Sequence, residues 1–231
     1  MNKLRKRILE ISFKKKLSHL GSCLTAVNII DEIFKTKKKG EKFVLSSGHA
    51  AVALYCVLEK YGGRNAEKIF DHHGVHPDRC KECGIDYSTG SLGQGLPAAV
   101  GMALADRTKN VYCLISDGEC AEGSIFESLR VINELNITNL LIICNSNGLG
   151  AYNAIGQDYL RNRLNGFIRT LEFYEYDSLW AKQLQALTVK TIQTPFLIIL
   201  RTRFPNWPFI KDPQEYHYHV LTPQEYSEKE I

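Results

Sequence analysis

Asp117 and Asn147 each stand just beyond an apolar run, Asp117 after Val111–Ile115 and Asn147 after Leu140–Cys144. The first run leads into Ser116-Asp117-Gly118-Glu119 and a helix-compatible stretch through Asn136; the second ends in Asn145-Ser146-Asn147-Gly148. The pattern describes a strand delivering a carboxylate into a tight turn, a helix leaving that turn, and a second strand delivering an amide. A carboxylate and an amide at two strand ends are hard oxygen ligands, suited to Mg²⁺ or Ca²⁺ holding a phosphate group. Gly90-Ser91-Leu92-Gly93-Gln94-Gly95 opens a small-residue helix, and such a loop lets backbone amides approach an anion. Of the seven histidines, His19, His49 and His76 lie in expected turns and His217 in the polar run Tyr216-His217-Tyr218-His219. Together they suggest a polar pocket able to move protons and hydrogen-bond hydroxyls.

Each feature has a plainer reading on its own. Asp117 would serve equally as a helix cap, a GxxGxG turn occurs in many α/β loops, and a single turn histidine is usually just exposed. Glu122 and Glu127 singly would be solvent-facing charges on the helix after the turn. Their combination is what points to a metal-bound phosphate group.

The elements that must position these residues alternate between helix and strand. Leu4, Ile8, Ile11 and Leu17 recur at helical spacing among basic residues, and Ser22 is placed to cap a second helix continuing over Leu24–Phe34. Lys42–Leu45 reads as a short buried strand, Ser46–His49 as a turn and Ala50–Leu58 as a helix. Gly62-Gly63 and Asp71–Cys83 make the loosest region; the helix Pro97–Ala105 and the strand Val111–Ile115 follow. Glu172–Tyr176 and Pro195–Arg201 read as further strands, with a helix over Ser178–Val189 between them. This alternation predicts an α/β fold, a parallel sheet covered by helices on both faces, as a single domain over 1–231. Ligands of such sheets sit at the carboxyl ends of strands, which places Ser46–His49, Ser116–Glu119 and Asn145–Gly148 at one edge.

Composition bounds the rest. A hydrophobic fraction of 44% is ordinary for a globular chain of 231 residues. The net charge of +4 is concentrated in Lys3–Lys16 and Lys35–Lys39. No aromatic residues alternate with these basic ones, so they read as a solvated helix face and loop, and no nucleic-acid partner is expected. No signal peptide or membrane-spanning apolar run is apparent, and seven scattered cysteines fit reduced thiols, so a cytoplasmic protein is expected.

Four motifs then stand in register: Ser18-His19-Leu20-Gly21, Phe43-Val44-Leu45-Ser46-Ser47-Gly48-His49, Ser88-Thr89-Gly90-Ser91-Leu92-Gly93-Gln94-Gly95, and Asp117-Gly118-Glu119 with Glu122-Gly123 and Asn147. In this order the chain resembles the N-terminal, diphosphate-binding domain of thiamine-diphosphate-dependent transketolases, in the split form where that domain is a separate polypeptide. The resemblance runs from about residue 5 to the C-terminus and implies the thiamine-diphosphate-binding fold.

It also implies roles. Asp117, Asn147 and the Leu149 carbonyl match the ligands of a Mg²⁺ or Ca²⁺ ion that bridges to the cofactor's diphosphate, with Gly118 and Glu119 in the same motif. Gly90, Ser91 and Leu92 match the loop over the cofactor. His49 and His76 match histidines near the thiazolium and the substrate's first carbons, and His19 and His217 match two more that line the substrate channel. Glu122 and Glu127 match acidic residues that connect two active sites across a dimer interface, and complete the expected cofactor-binding set.

The implied reaction moves a two-carbon ketol unit from a ketose to an aldose. The glutamate that activates the aminopyrimidine belongs to a second domain that this length does not accommodate. The expectation is therefore an obligate subunit that joins a separately encoded pyrimidine-binding C-terminal partner, as an α2β2 heterotetramer acting on sugars or sugar phosphates. Two alternatives are a relative acting on a 2-keto acid, such as a deoxyxylulose-phosphate synthase or an E1 subunit, and a non-catalytic subunit that keeps only the fold. The four histidines favour transketolase over the first; intact Asp117, Asn147 and Glu122 argue against the second.

The chain departs from the family pattern at Ser116, where glycine is usual, at Ser91, often proline, and at Asp177-Ser178-Leu179-Trp180, where split forms carry Asp-Gly-His-Asp. The segment after the metal motif is also short. Cys80-Lys81-Glu82-Cys83, with His72, His73 and His76 upstream, has the spacing of half a zinc site. A second CxxC is absent, and a surface loop of reduced cysteines is the expected state.

Overall fold

A computed structural model describes residues 3–150, 153–187, 192–204, 210, 212 and 215–227. The chain begins with helices α1 (Lys3–Lys15) and α2 (Leu20–Thr36) and enters the sheet with β1 (Lys42–Leu45). Helices α3 (Ala51–Gly62), α4 (Ala66–His73) and α5 (Gly95–Ala105) lead to β2 (Val111–Ser116), α6 (Gly123–Glu134) and β3 (Leu140–Ser146). The order closes with α7 (Gln157–Asn165), β4 (Arg169–Tyr174), α8 (Leu179–Ala186), β5 (Phe196–Arg201) and the short helices α9 (Glu215–Tyr218) and α10 (Pro223–Ser227).

The five strands form one sheet in the order β1-β2-β3-β5-β4, every pairing parallel. Because successive strand side chains point to opposite faces, near-continuous apolar strands supply two cores. Phe43, Leu45, Tyr112, Leu114, Leu141, Ile143, Ile198 and Leu200 belong to one, under α1, α2, α3 and α8. Val44, Val111, Cys113, Ile115, Leu140, Ile142, Cys144, Leu197 and Ile199 belong to the other, under α5, α6 and α7. Burying each such aliphatic side chain contributes roughly 1.5–3 kcal/mol. This is the doubly covered parallel sheet expected from the sequence.

Several boundaries differ, each for a physical reason. Helix α2 starts at Leu20, so Ser22 is buried inside it and does not cap it. The residue before the helix, His19, takes a left-handed conformation (φ 57°) and turns the chain there. Helix α4 interrupts the stretch read as loosest: the Asn65 side chain accepts a 3.1 Å hydrogen bond from the Lys68 N–H, and Ala66 and Ile69 are buried. Helix α7, buried through Leu160 and Leu164, has no counterpart in the sequence reading. β4 starts three residues earlier than expected, and the end of the helix expected over Ser178–Val189 lies outside the described residues. At the far end, α10 is held on α1 by Tyr226, whose ring stacks on Phe13 with centroids 4.1 Å apart.

Candidate active site

Parallel strands β1, β2 and β3 pair with Leu45 beside Leu114 and Ser116 beside Asn145. Their carboxyl ends therefore deliver Ser46, Asp117 and Asn147 to one edge of the sheet. Two glycines let the loops close over that edge. A side-chain carbon on Gly48 would sit 2.7 Å from the Thr89 carbonyl carbon, and one on Gly95 would sit 2.6 Å from Ser46 Cα. Only glycine permits backbones to approach this closely.

Asp117 is 2% exposed. Its Oδ2 accepts a 2.7 Å hydrogen bond from the Gly148 N–H and its Oδ1 a 3.0 Å bond from the Gly118 N–H. Burial pushes its carboxyl up to about 7, against the opposing pull of these backbone donors. Among the described residues no cationic side chain pairs with it. A buried carboxylate without a cation is costly, and an ion at this position would supply the missing charge. The Asn147 Oδ1 accepts from the Leu149 N–H at 3.0 Å. The Leu149 carbonyl oxygen faces Gly118 across the turn, 4.0 Å from where a side-chain carbon there would start.

Asp117, Asn147 and Leu149 line a cavity of about 230 Å³ with Ser116, Gly118, Gly90 and Leu92. His19, His49, His76 and His217 line the same cavity. Residues from both ends of the chain and from three strand ends thus meet in one place. The His19 and His49 rings are 5.1 Å apart and those of His19 and His217 6.2 Å. The His19 N–H donates to the His217 carbonyl at 2.8 Å, which fixes α9 beside the start of α2. Nδ1 of His19 and Nδ1 of His217 are both buried without a hydrogen-bond partner among the described residues. Burial, with neighbouring histidines adding to it, lowers His49 to about 3 and also lowers His19; burial lowers His217. Near neutrality these three rings are uncharged, so each can accept or donate through a ring nitrogen.

Other expected residues take different places. Ser91 is exposed and does not line the cavity. Glu119 does not line it either: fully buried, it ties the loops together from behind. Its Oε1 accepts from the Ser46 hydroxyl (2.6 Å) and the Gly93 N–H (2.9 Å), and its Oε2 from the Ser116 N–H (2.9 Å). With its acceptor positions filled by protein donors, Glu119 ties these loops together without facing the cavity. Glu122 is exposed and lines an adjoining cleft with Asp117, Gly118 and Leu92. Glu127 lies on the exposed face of α6, paired with Arg130 at 2.5 Å and away from the cavity.

The departures have structural accounts. The Ser116 hydroxyl is absorbed into the Glu119 network, where it accepts from the Glu119 N–H at 3.3 Å. Asp177 receives the Leu179 N–H at 2.9 Å at the start of α8, and Trp180 is buried with its indole N–H on the Glu175 carbonyl. That tetrapeptide starts a helix and contributes nothing to the cavity wall. Ser22 and Tyr218, which the sequence reading did not select, do line it. Ser22 lies three residues after His19, and Tyr218 is the neighbour of His217, so helical spacing from the histidines was the available signal.

Residues 4–161 match the family described as transketolase, thiamine diphosphate binding domain. The chain belongs to that family. One of the subunits of the apulose-4-phosphate transketolase of Phocaeicola vulgatus is 29% identical, over 98% of this chain and 89% of that protein. Human transketolase is 34% identical over 64% of this chain but only 27% of its own length. Transketolase-like protein 2 of Bos taurus is 28% identical, with 39% of its length covered, so the chain spans well under half of these longer relatives. The transketolase structure from Leishmania mexicana superposes with a TM-score of 0.69 over 86% of this chain and 35% of its own, at 21% identity. That likeness supports the fold: the parallel α/β sheet is the transketolase one.

The cavity fits the thiamine diphosphate of this transketolase domain. Gly90 and Gly118 keep its walls low, Asp117 is a buried carboxyl with no cationic partner among the described residues, and Asn147 and the Leu149 carbonyl add oxygen donors beside it.

Proposed function

We propose that this chain is the N-terminal, diphosphate-binding subunit of a split transketolase. It works with a separately encoded pyrimidine-binding subunit, as a cytoplasmic α2β2 heterotetramer, and transfers a two-carbon ketol unit from a ketose to an aldose. The observation that carries the reading is one cavity that has Asp117, Asn147 and Leu149 on one side and four histidines on the other. The match to 89% of the length of a transketolase subunit from Phocaeicola vulgatus supports the split arrangement.

In this reading Asp117, Asn147 and the Leu149 carbonyl are the residues that would hold Mg²⁺ or Ca²⁺, whose charge would neutralise a diphosphate group. Thiamine diphosphate supplies an electron sink for carbon–carbon bond cleavage and formation. The protein binds, orients and moves protons. Gly90 and Leu92 line the cavity that would take the cofactor, and Glu119 holds the loop that carries them. His49 and His76 hydrogen-bond the substrate's first hydroxyls. His19 and His217, which line the cavity and whose Nδ1 atoms have no hydrogen-bond partner among the described residues, accept or return protons at the substrate oxygens. In this reading Glu122 and Glu127, both exposed, meet a neighbouring subunit.

The test is ketol transfer by the purified chain with thiamine diphosphate and Mg²⁺, alone and with candidate partner subunits. Two-carbon transfer only with the partner is expected. Carbon dioxide release from pyruvate would replace the reading with a 2-keto acid enzyme, and full activity of the isolated chain would remove the need for a partner.

A further inference from the structure

The loop between α4 and α5 carries a cluster that the cavity does not use. Cys80-Lys81-Glu82-Cys83-Gly84-Ile85 folds back on itself: the Cys80 N–H donates to the Ile85 carbonyl and the Ile85 N–H to the Cys80 carbonyl, both at 2.9 Å. Inside this turn the Cys83 N–H points at Cys80 Sγ from 3.1 Å, and Gly84 takes φ +83° to bring the chain round. The last turn of α4 adds His73, whose Nε2 lies 3.4 Å from Cys83 Sγ. Ligand atoms of His73, Cys80 and Cys83 all lie within 4.8 Å of one another.

We propose that His73, Cys80 and Cys83 bind a zinc ion. Zn–S bonds of about 2.3 Å and Zn–N bonds of about 2.0–2.1 Å in a tetrahedron put sulfur and nitrogen about 3.6 Å apart, close to the spacing found here. Two sulfurs and one imidazole suit zinc and are a poor match for Mg²⁺ or Ca²⁺, so this site differs in kind from that at Asp117. The fourth position faces a surface cleft lined by His72, Cys80, Glu82 and Cys83, where a water or the Glu82 carboxylate completes the tetrahedron. Binding converts two thiols to thiolates and releases two protons to solvent, with no change of oxidation state.

The second CxxC of many zinc sites is unnecessary because a helix end supplies the third ligand. The ion joins the end of α4 to the segment that carries His76 and the glycine loop. That segment is tied internally by the Thr89 N–H to the Pro77 carbonyl (3.1 Å) and the Arg79 N–H to the Ser88 hydroxyl (2.7 Å). The zinc site therefore braces one wall of the cavity from outside.

Elemental analysis of the full chain, purified without chelator, is expected to give about one zinc per chain. His73→Ala and the double variant Cys80→Ser/Cys83→Ser should lower it to background, whereas Asp117→Asn should retain it. Because the cysteine variants can destabilise the fold, the wild-type chain reconstituted with Co²⁺ gives an independent readout, with thiolate-to-cobalt charge-transfer bands expected in the near ultraviolet. Wild-type protein that takes up no stoichiometric zinc overturns the proposal, as does Co²⁺ binding without thiolate bands. Zinc lost in Asp117→Asn but kept in the cysteine variant would assign the ion to the other site and also overturn it.

Discussion

The Ser46 hydroxyl donates a 2.6 Å hydrogen bond to the Glu119 carboxylate, joining the carboxyl end of one strand to the turn after the next. The same carboxylate holds the Gly93 N–H of the glycine loop. Three loops of the cavity are thus set by one buried side chain. Replacing Glu119 by Gln keeps the shape but presents an NH₂ group to donors at one of the two carboxylate positions. Glu119→Gln should cost about 1–3 kcal/mol in urea unfolding and weaken thiamine diphosphate binding, although Glu119 does not line the cavity. Unchanged stability would mean that the loops hold without it.

Asp117→Asn removes the charge that a divalent ion needs while preserving side-chain volume. Calorimetric titration with thiamine diphosphate and Mg²⁺, in the presence of the partner subunit, should lose at least roughly 10–100-fold in affinity. Affinity within a factor of about two of wild type would remove Asp117 from the ligand set.

Gly95→Ala places its new methyl carbon 2.6 Å from Ser46 Cα, where no flexible group can yield. A loss of about 1–3 kcal/mol is expected from overpacking at the start of α5, measured by denaturant unfolding. Gly101→Ala on the same helix, with nothing near its added carbon, is the control and should be neutral or slightly stabilising.

Acid sensitivity follows from the histidines. His49 is lowered to about 3, so between there and the ordinary value near 6.5 the unfolded chain binds a proton that the folded chain does not. More protons on the unfolded state make stability rise with pH in that window and level off above it. His49 alone contributes a slope of up to about 1.4 kcal/mol per pH unit, and His19 and His217 shift in the same direction. Urea melts at successive pH values should show the loss on acidification. His49→Gln should flatten the slope; an unaltered slope would mean that His49 is not the group responsible.

Much of this site was legible in the sequence because its chemistry sits at strand ends. The runs read as strands at 42–45, 111–115 and 140–144 match β1, β2 and β3, and whatever follows each must lie on one edge. That logic brought Asp117, Asn147 and His49 together, and all three line one cavity. Glu119 was harder to place: one residue beyond Gly118, it has the composition of a ligand, and only the backbone path shows its carboxylate turned inward to Ser46 and Gly93. Ser22 was misread for a related reason, since a serine before an apolar run signals a cap unless the preceding turn has already started the helix. Helix α4 escaped notice because eight residues ending in Asp71-His72-His73 bury only Ala66 and Ile69. Its value lies in the direction its last turn faces, which is a property of the fold.

The hydrogen bond from the His19 amide to the His217 carbonyl joins segments 198 residues apart in sequence. During synthesis His19 waits for His217, 198 residues further along, before this contact can form. The histidine side of the cavity is therefore among the last parts to assemble. Contacts this distant in sequence are slow to form, and a chain stalled before His217 would present His19, His49 and His76 without the carbonyl that fixes His19.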